Sequence, residues 1–408
     1  MNSKHLFLTM VSAGAVVIAP YLVVAQDWTQ TIAPSSFQWQ SIACSSNARS
    51  LTAAAYDDGY GDGGPIYTST NFGVTWAISS APINCSWQSI ASSADGTKLV
   101  AAVYSDVNNN AGALHTSTNS GANWKAPSTP TNFWSCVASS SNGTLLVASD
   151  SGYGDGLIYI SANFGRTWNA TMAPSDSWAY VAASADGTKL VAADSGYGDG
   201  LIYTSTNSGS TWTPTLAPAN EWTSVASSAD GTRLVAANSG DGDDLIYIST
   251  NAGLTWSATE APTNQWASVT CSADGTLLTA ADSGYGDGLI YTSTNAGGTW
   301  APTMAPIEYW TSIASSADGS RLAVTGFPAG IYTWQSTPVL NIAPTNGNLA
   351  ISWPALSSAN GFALEENVDL ATTNWVAVTA PLLLNNGMNE VVIPLAHRGQ
   401  QFYRLRNP

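Results

Sequence analysis

Apolar residues along this chain fall in short runs, alternating or continuous, each closed by a cluster of Gly, Asp, Asn, Ser or Pro. A period near two with frequent turn signals predicts short antiparallel strands and no long helices. The runs recur in a fixed order. Seven segments open alike: Trp39-Gln-Ser-Ile-Ala, Trp87-Gln-Ser-Ile-Ala, Trp134-Ser-Cys-Val-Ala, Trp178-Ala-Tyr-Val-Ala, Trp222-Thr-Ser-Val-Ala, Trp266-Ala-Ser-Val-Thr and Trp310-Thr-Ser-Ile-Ala. The Trp-to-Trp spacings are 48, 47, 44, 44, 44 and 44 residues. In the fifth unit, residues 222–228 read as a strand a and 229–232 (ADGT) as a hairpin turn. Residues 233–237 form strand b, a Gly-rich loop leads to strand c at 245–250, and strand d starts at Thr255. Four short strands per unit of 40 to 50 residues is the blade pattern of a β-propeller.

The two ends of the array predict how it closes. The seventh unit has strands a, b and c but no turn-plus-TW segment after them, whereas residues 27–34 (DWTQTIAP) match the d strands TWTPTLAP and TWNATMAP. The N-terminal strand is therefore expected to complete the seventh blade, removing the exposed interfaces of an open array. Fourteen of the 17 Trp fall on two fixed repeat positions, which makes them packing residues between blades before anything else. Ahead of the array, Lys4 and His5 precede an apolar run from Leu6 to Ala25, ending in Val23-Val24-Ala25 before Gln26. This is the layout of a cleaved signal peptide over residues 1–25; an uncleaved anchor is the rival. The propeller is assigned to 26–336. Residues 337–408 leave the repeat and alternate again, with Trp353 and Trp375, like a small immunoglobulin-like or fibronectin type III β-sandwich.

Composition narrows the function classes. Charged residues make up 9% of the 408-residue chain and aromatics 10%, which excludes a disordered polymer. A net charge of −16 argues against nucleic acid and anionic membrane surfaces as partners. Cys44, Cys85, Cys136 and Cys271 include no CxxC and have no neighbouring His, so buried thiols or a single disulfide are expected rather than zinc.

The c–d turns share an octapeptide: STNFGVTW (69–76), STNSGANW (117–124), SANFGRTW (161–168), STNSGSTW (205–212), STNAGLTW (249–256) and STNAGGTW (293–300). This resembles the Asp-box, or bacterial neuraminidase repeat, Ser-x-Asp-x-Gly-x-Thr-Trp, over about residues 27–334. The resemblance implies the propeller fold of a superfamily that includes sialidases, xyloglucanases, the sortilin ectodomain and a photosystem II assembly factor. Each copy here has Asn in place of the Asp, at Asn71, Asn119, Asn163, Asn207, Asn251 and Asn295. Either side chain can close an Asx turn on nearby N–H groups, so the motif marks a fold and not a function.

In an antiparallel blade the a–b and c–d turns share one face, and the b–c loops emerge on the other. The b–c loops repeat DSGYGDG at 150–156, 194–200 and 282–288, with DDGYGDGGP from Asp57 and NSGDGDD from Asn238; across all repeats they hold 13 of the 27 acidic residues. One reading is a plain Gly-rich turn copied with its blade. The other is a ligand face built from Tyr60, Asp62, Asp150, Tyr153, Asp155, Asp194, Tyr197, Asp199, Asp241, Asp243, Asp282, Tyr285 and Asp287. Carboxylate and carbonyl oxygens there could hold Ca2+, or Tyr could stack on a sugar whose hydroxyls donate to Asp.

Sialidase chemistry is disfavoured. The four propeller Arg (Arg49, Arg166, Arg233, Arg321) fall on the turn face, and no Arg-Ile-Pro segment occurs. Hydrolysis of a neutral polysaccharide needs two carboxylates in different environments, and near-identical loops do not single out such a pair. His5, His115 and His397 offer no constellation, and GxSxG, HExxH and P-loop motifs are absent. The sequence thus predicts an all-β, secreted, monomeric seven-bladed propeller that binds a glycan, cation or protein without catalysis. A neutral glycoside hydrolase and an assembly scaffold are the alternatives.

Overall fold

The computed structural model describes residues 8–10, 28–57, 63–106, 108–126, 130–196, 199–240, 244–284, 288–328, 330–336, 340–345, 348–354, 362–368, 372, 374–385, 388–394 and 401–406. The chain divides into two compact units, Asp27–Trp334 and a second made of Met1–Gln26 with Gln335–Pro408. Among the described residues no helix is long and apolar enough to cross a membrane.

The larger unit is a succession of four-stranded antiparallel sheets, one per repeat. In the fifth repeat they are Trp222–Ser227, Leu234–Asn238, Ile246–Ser249 and Ser257–Ala258. The second repeat keeps three strands, Cys85–Ser92, Leu99–Asp106 and Leu114–Ser117, with the fourth reduced to a Thr116–Lys125 bridge. The last sheet joins Tyr309–Ser315, Arg321–Phe327 and Gly330–Gln335 to Thr29–Gln30 from the chain start, where Thr29 faces Thr333 and Gln30 faces Tyr332.

Packing explains the sequence of the b strands. Every residue of Leu234–Asn238 is buried, because successive side chains point to opposite sheets. Ala236 joins Trp222, Val225 and Tyr247 in its own repeat. Ala237, one residue on, joins Trp266, Val269 and Leu278 of the next. Small residues at these positions let the sheets approach closely. Each strand-a Trp then fills the gap: Trp222 meets Tyr247 edge-on at 5.6 Å, and its indole N–H donates to the Gly200 carbonyl at 3.0 Å.

Neighbouring repeats are also tied through the backbone. The N–H of Ser46 donates to Ala94, Ala94 to Ser141, Ser141 to Ala185, Ala185 to Ala229, Ala229 to Ala273, Ala273 to Ala317, and Ala317 back to Ser46. These seven bonds, each 2.7–2.8 Å, form a closed cycle.

The octapeptide turn is held from within. In the fourth repeat Ser205 Oγ accepts the Gly209 N–H at 2.8 Å, and Asn207 Oδ1 accepts the Thr211 N–H at 2.9 Å. Asn207 Nδ2 in turn donates to Thr211 Oγ1 at 2.9 Å. Gly209 takes φ +78°, and a Cβ there would meet Ile160 Cδ1 at 2.0 Å, so both conformation and space require glycine.

In the second unit one sheet contains Asn341–Thr345, Asn348–Pro354, Met388–Pro394 and Leu382–Asn385. The other contains Leu8–Met10, Gln401–Arg406, Ala363–Asn367 and Val376–Ala377. Ile351, Trp353 and Tyr403 are buried in its core. Leu8–Met10, inside the segment read as a signal peptide, pairs with Gln401–Tyr403. Arg404 and Glu365 are cross-strand partners, with Arg404 Nε donating to Glu365 Oε2 at 2.6 Å and the guanidinium 4.2 Å above the Trp375 ring.

All four cysteines are free thiols. Burial pushes Cys44 and Cys271 up to about 12, the opposite of a reactive thiolate.

Candidate ligand-binding face

The turn face is closed by its own hydrogen bonds. Each octapeptide turn docks on the a–b turn of its repeat, as Ser208 N–H does on the Thr188 carbonyl and Ala252 N–H on Thr232. In the a–b turns, Asp230 Oδ1 accepts from Ser228 Oγ at 2.7 Å and from the Thr232 N–H at 2.9 Å. The Ser bond, then the Thr bonds, hold its carboxyl down at about 2. Asp95 and Asp186 are held at about 2 in the same way.

The basic residues reach past these carboxylates. Lys98 Nζ donates to the Asn142 carbonyl, Lys189 Nζ to Asp230 and Arg321 Nη1 to Asn47, at 2.5, 2.7 and 3.2 Å. Each bond crosses to the next repeat, and Arg321 to Asn47 joins the seventh to the first. These three cations therefore clasp neighbouring sheets.

On the opposite face the b–c loops are stitched to the segment entering the next repeat. Bridges join Gly112 to Asn132, Gly156 to Asp176, Gly200 to Asn220 and Gly288 to Glu308. At Gly156 an added Cβ would lie 1.9 Å from the Asp150 carbonyl oxygen, so the DSGYGDG loop needs glycine there to close.

The structure separates the sequence-predicted site residues into classes. Asp150, Asp194 and Asp282 are 9%, 4% and 8% exposed. Each turns its carboxylate into its own loop, accepting the N–H of Gly152, Gly196 and Gly284 at 3.1, 3.0 and 3.0 Å. The pattern places these aspartates at a loop start, where exposure is the expectation; the Trp opposite each in the a–b pairing buries them instead. Asp155 and Asp199 are exposed. Tyr153 lies in the short helical turn Gly152–Gly154. Tyr60, Asp62, Tyr197, Asp241, Asp243, Tyr285 and Asp287 lie outside the described residues. Among the described residues no group of three His, Cys, Asp or Glu is gathered to hold a metal ion.

One carboxyl differs from its counterparts. Burial, then the hydrogen bond that protonated Asp194 donates to the Asp176 carboxylate, and that carboxylate's charge, push Asp194 up to about 7. Tyr203, beside Trp178, is pushed up by burial and then by Asp176 and Asp194. Asp176 occupies a position that holds Asn in the third, fifth and sixth repeats, at Asn132, Asn220 and Asn264. The near-identical loops therefore do contain one acid in a distinct environment, and its cause lies in the preceding segment.

Among the described residues, the cavity on this face is lined by side chains outside the predicted set. It measures about 480 Å³ and is bounded by Gln88, Ser135 and Ala179, each immediately after a strand-a Trp, together with Ser151, Ser177 and Ser195. Tyr104 and Tyr180 complete it. A register shift after every strand-a Trp turns the following residue out of the pairing; such bulges re-aim side chains. Tyr104 meets Phe133 at 5.2 Å. Tyr180 is pushed up to about 12 by burial, then by Cys136 and by Tyr309 of the seventh repeat.

The signal for these residues is a break in the repeat. Two positions after the Trp, five repeats have Ser: Ser41, Ser89, Ser224, Ser268 and Ser312. Each Oγ accepts a strand-a N–H of the next repeat, at Ile90, Val137, Val269, Ile313 and Ile42. Only Cys136 and Tyr180 depart, and they are adjacent repeats.

A scan against protein-family models and a search of curated proteins each give no match. Solved structures do match. The GH74 xyloglucanase of Xanthomonas campestris superposes with a TM-score of 0.58 at 14% identity over 81% of this chain, which spans 60% of that enzyme's chain. YCF48 of Cyanidioschyzon merolae superposes with a TM-score of 0.58 at 15% identity, over 76% of this chain and 99% of the other. At these identities the likeness shows the fold alone: a β-propeller.

Proposed function

We propose that the chain is a secreted seven-bladed Asp-box propeller with a fibronectin type III-like C-terminal module, and that its b–c loop face binds a glycan without catalysis. The closed cycle from Ser46 to Ala317 and the pairing of Thr29–Gln30 with the last sheet support the blade count and the closure. The internally bonded Ser-x-Asn-x-Gly-x-Thr turns support the Asp-box reading.

The observation that carries the binding role is the division of the two faces. Lys98, Lys189 and Arg321 are engaged on the turn face. The loop face presents Asp155 and Asp199 to solvent around a cavity rich in hydroxyls. Such a face attracts neutral hydrogen-bonding ligands and repels anions. A glycan array read with and without Ca2+ tests it: binding of uncharged glycans, independent of calcium, is expected. Silence on every glycan would remove this reading in favour of a protein ligand.

A glycoside hydrolase remains the second reading, because Asp194 is a carboxyl differentiated from its counterparts beside Asp176. General acids of glycosidases have raised pKa values for this reason. The structural neighbour named a xyloglucanase gives the substrate to try first. Release of reducing sugar from xyloglucan that Asp194→Asn abolishes would establish the enzyme.

A further inference from the structure

Resting on the binding role proposed above, we infer that the ligand is held off-centre, in the cavity of the second to fourth repeats, and that it is a single uncharged sugar ring stacked on Tyr180. The argument starts from symmetry. In a repeat protein, a residue present in every copy maintains the fold; a residue that departs at an inward-facing position does not. Five repeats keep Ser two residues after the strand-a Trp, and each bonds the next repeat's backbone. Tyr180 has no such bond; its ring packs against the cluster around Trp222 and Val225 and lines the cavity.

Tyr180 lines the 480 Å³ space, a volume in the range of small-ligand sites, together with Tyr104, at a position that holds Ser in the third to sixth repeats and Tyr56 in the first. The rest of the wall suits a polyol. Gln88, Ser135, Ser177 and Ser195 offer amide and hydroxyl groups, and none of the described lining side chains carries a formal charge. Ser135 Oγ already touches the Trp178 carbonyl at 2.6 Å and Ser149 Oγ at 2.8 Å, so its position is fixed before a ligand arrives. Aromatic faces beside fixed neutral donors and acceptors recognise pyranose rings, whose C–H faces stack while their hydroxyls bond. An anionic sugar would meet Asp155 and Asp199 on the same face, with no cation among the described residues of the cavity wall to offset them.

The test uses Tyr180→Ser, which installs the residue five other repeats already carry and so should fold. Cellohexaose, xyloglucan heptasaccharide and sialyllactose are titrated against the full chain by calorimetry. The expected result is binding of a neutral probe that Tyr180→Ser weakens at least tenfold, that Asp230→Asn on the turn face leaves within threefold, and no binding of sialyllactose. If a neutral probe binds and Tyr180→Ser has no effect, the cavity is overturned; loss of that binding in Asp155→Asn with Asp199→Asn would keep the loop-face reading. If sialyllactose binds as well as the neutral probes, the uncharged class is overturned. If no probe binds and the glycan array is silent, both the cavity and the glycan reading fall together.

Discussion

Replacing Trp28 by alanine tests whether the N-terminal strand holds the last sheet. Trp28 is 9% exposed and packs among Trp310, Ile313, Leu322 and Val324, with Trp334 at 6.2 Å. Its indole N–H donates to Thr303 Oγ1 at 3.1 Å, whereas the indole N–H of Trp212, at the same motif position in the fourth repeat, is buried without a partner. Truncating a buried Trp costs about 3–5 kcal/mol, and the lost hydrogen bond about 1 kcal/mol more. The strand has little else to hold it: the Thr29–Gln30 pairing and the Thr31 N–H on the Ile331 carbonyl at 2.8 Å. With unfolding entropy near 2.1 cal/mol/K per residue over about 300 residues, a loss of about 4 kcal/mol lowers Tm by about 6 °C. Scanning calorimetry of Trp28→Ala and Trp212→Ala, side by side, gives the answer. The reasoning fails if Trp28→Ala costs less than Trp212→Ala, since Trp28 is the more deeply buried of the two and its indole N–H has a partner that the Trp212 N–H lacks.

Other perturbations have equally definite outcomes. Trp222→Phe loses the bond to Gly200 and leaves a void at a site 1% exposed, so urea unfolding should show a loss of about 1–3 kcal/mol. Trp212→Phe removes an unpartnered N–H and should cost under about 1 kcal/mol; equal losses would refute the distinction. Asp194 has a folded pKa near 7, above the ordinary carboxylate value, so the folded state binds the extra proton. Its contribution is therefore present at pH 4 and lost as pH rises to 7. Asp194→Asn should flatten the fall in Tm over that window, and an unchanged slope counts against the shared proton. Exposed Asp95, Asp186 and Asp230, held near 2, act only below it. Glu365→Ala leaves Arg404, whose side chain is 11% exposed, without its carboxylate. It should lower the stability of the C-terminal unit by about 3–5 kcal/mol in calorimetry; a loss below about 1 kcal/mol would show that the pair contributes little.

The strand order was legible because repetition averages out local ambiguity. Residues 222–228, 233–237 and 245–250, read as strands, correspond to Trp222–Ser227, Leu234–Asn238 and Ile246–Ser249. Strand d was overestimated: only Ser257–Ala258 pair, because the Thr255 N–H is already bonded to Asn251 Oδ1 in the turn. The same averaging hid the cavity. Looking for what recurs draws the eye to DSGYGDG, whose first aspartate is buried, and away from Tyr180, which matters because it does not recur. The bulge after each Trp was invisible in the pattern too, since it shifts register without changing the order of apolar residues. The Asp194–Asp176 contact joins residues of two different segments and could not be read from either alone.

The backbone cycle from Ser46 through Ala317 and back has no first member, although the polypeptide does. A linear stack of the same units would fray from its terminal copies, whereas on the closure proposed above each sheet has two neighbours and a seam lies where Thr29–Gln30 meets Gly330–Gln335. A circular permutant with new ends in another turn, such as Asp230–Gly231, would carry the vulnerable joint to that sheet and leave the rest of the ring indifferent to the change.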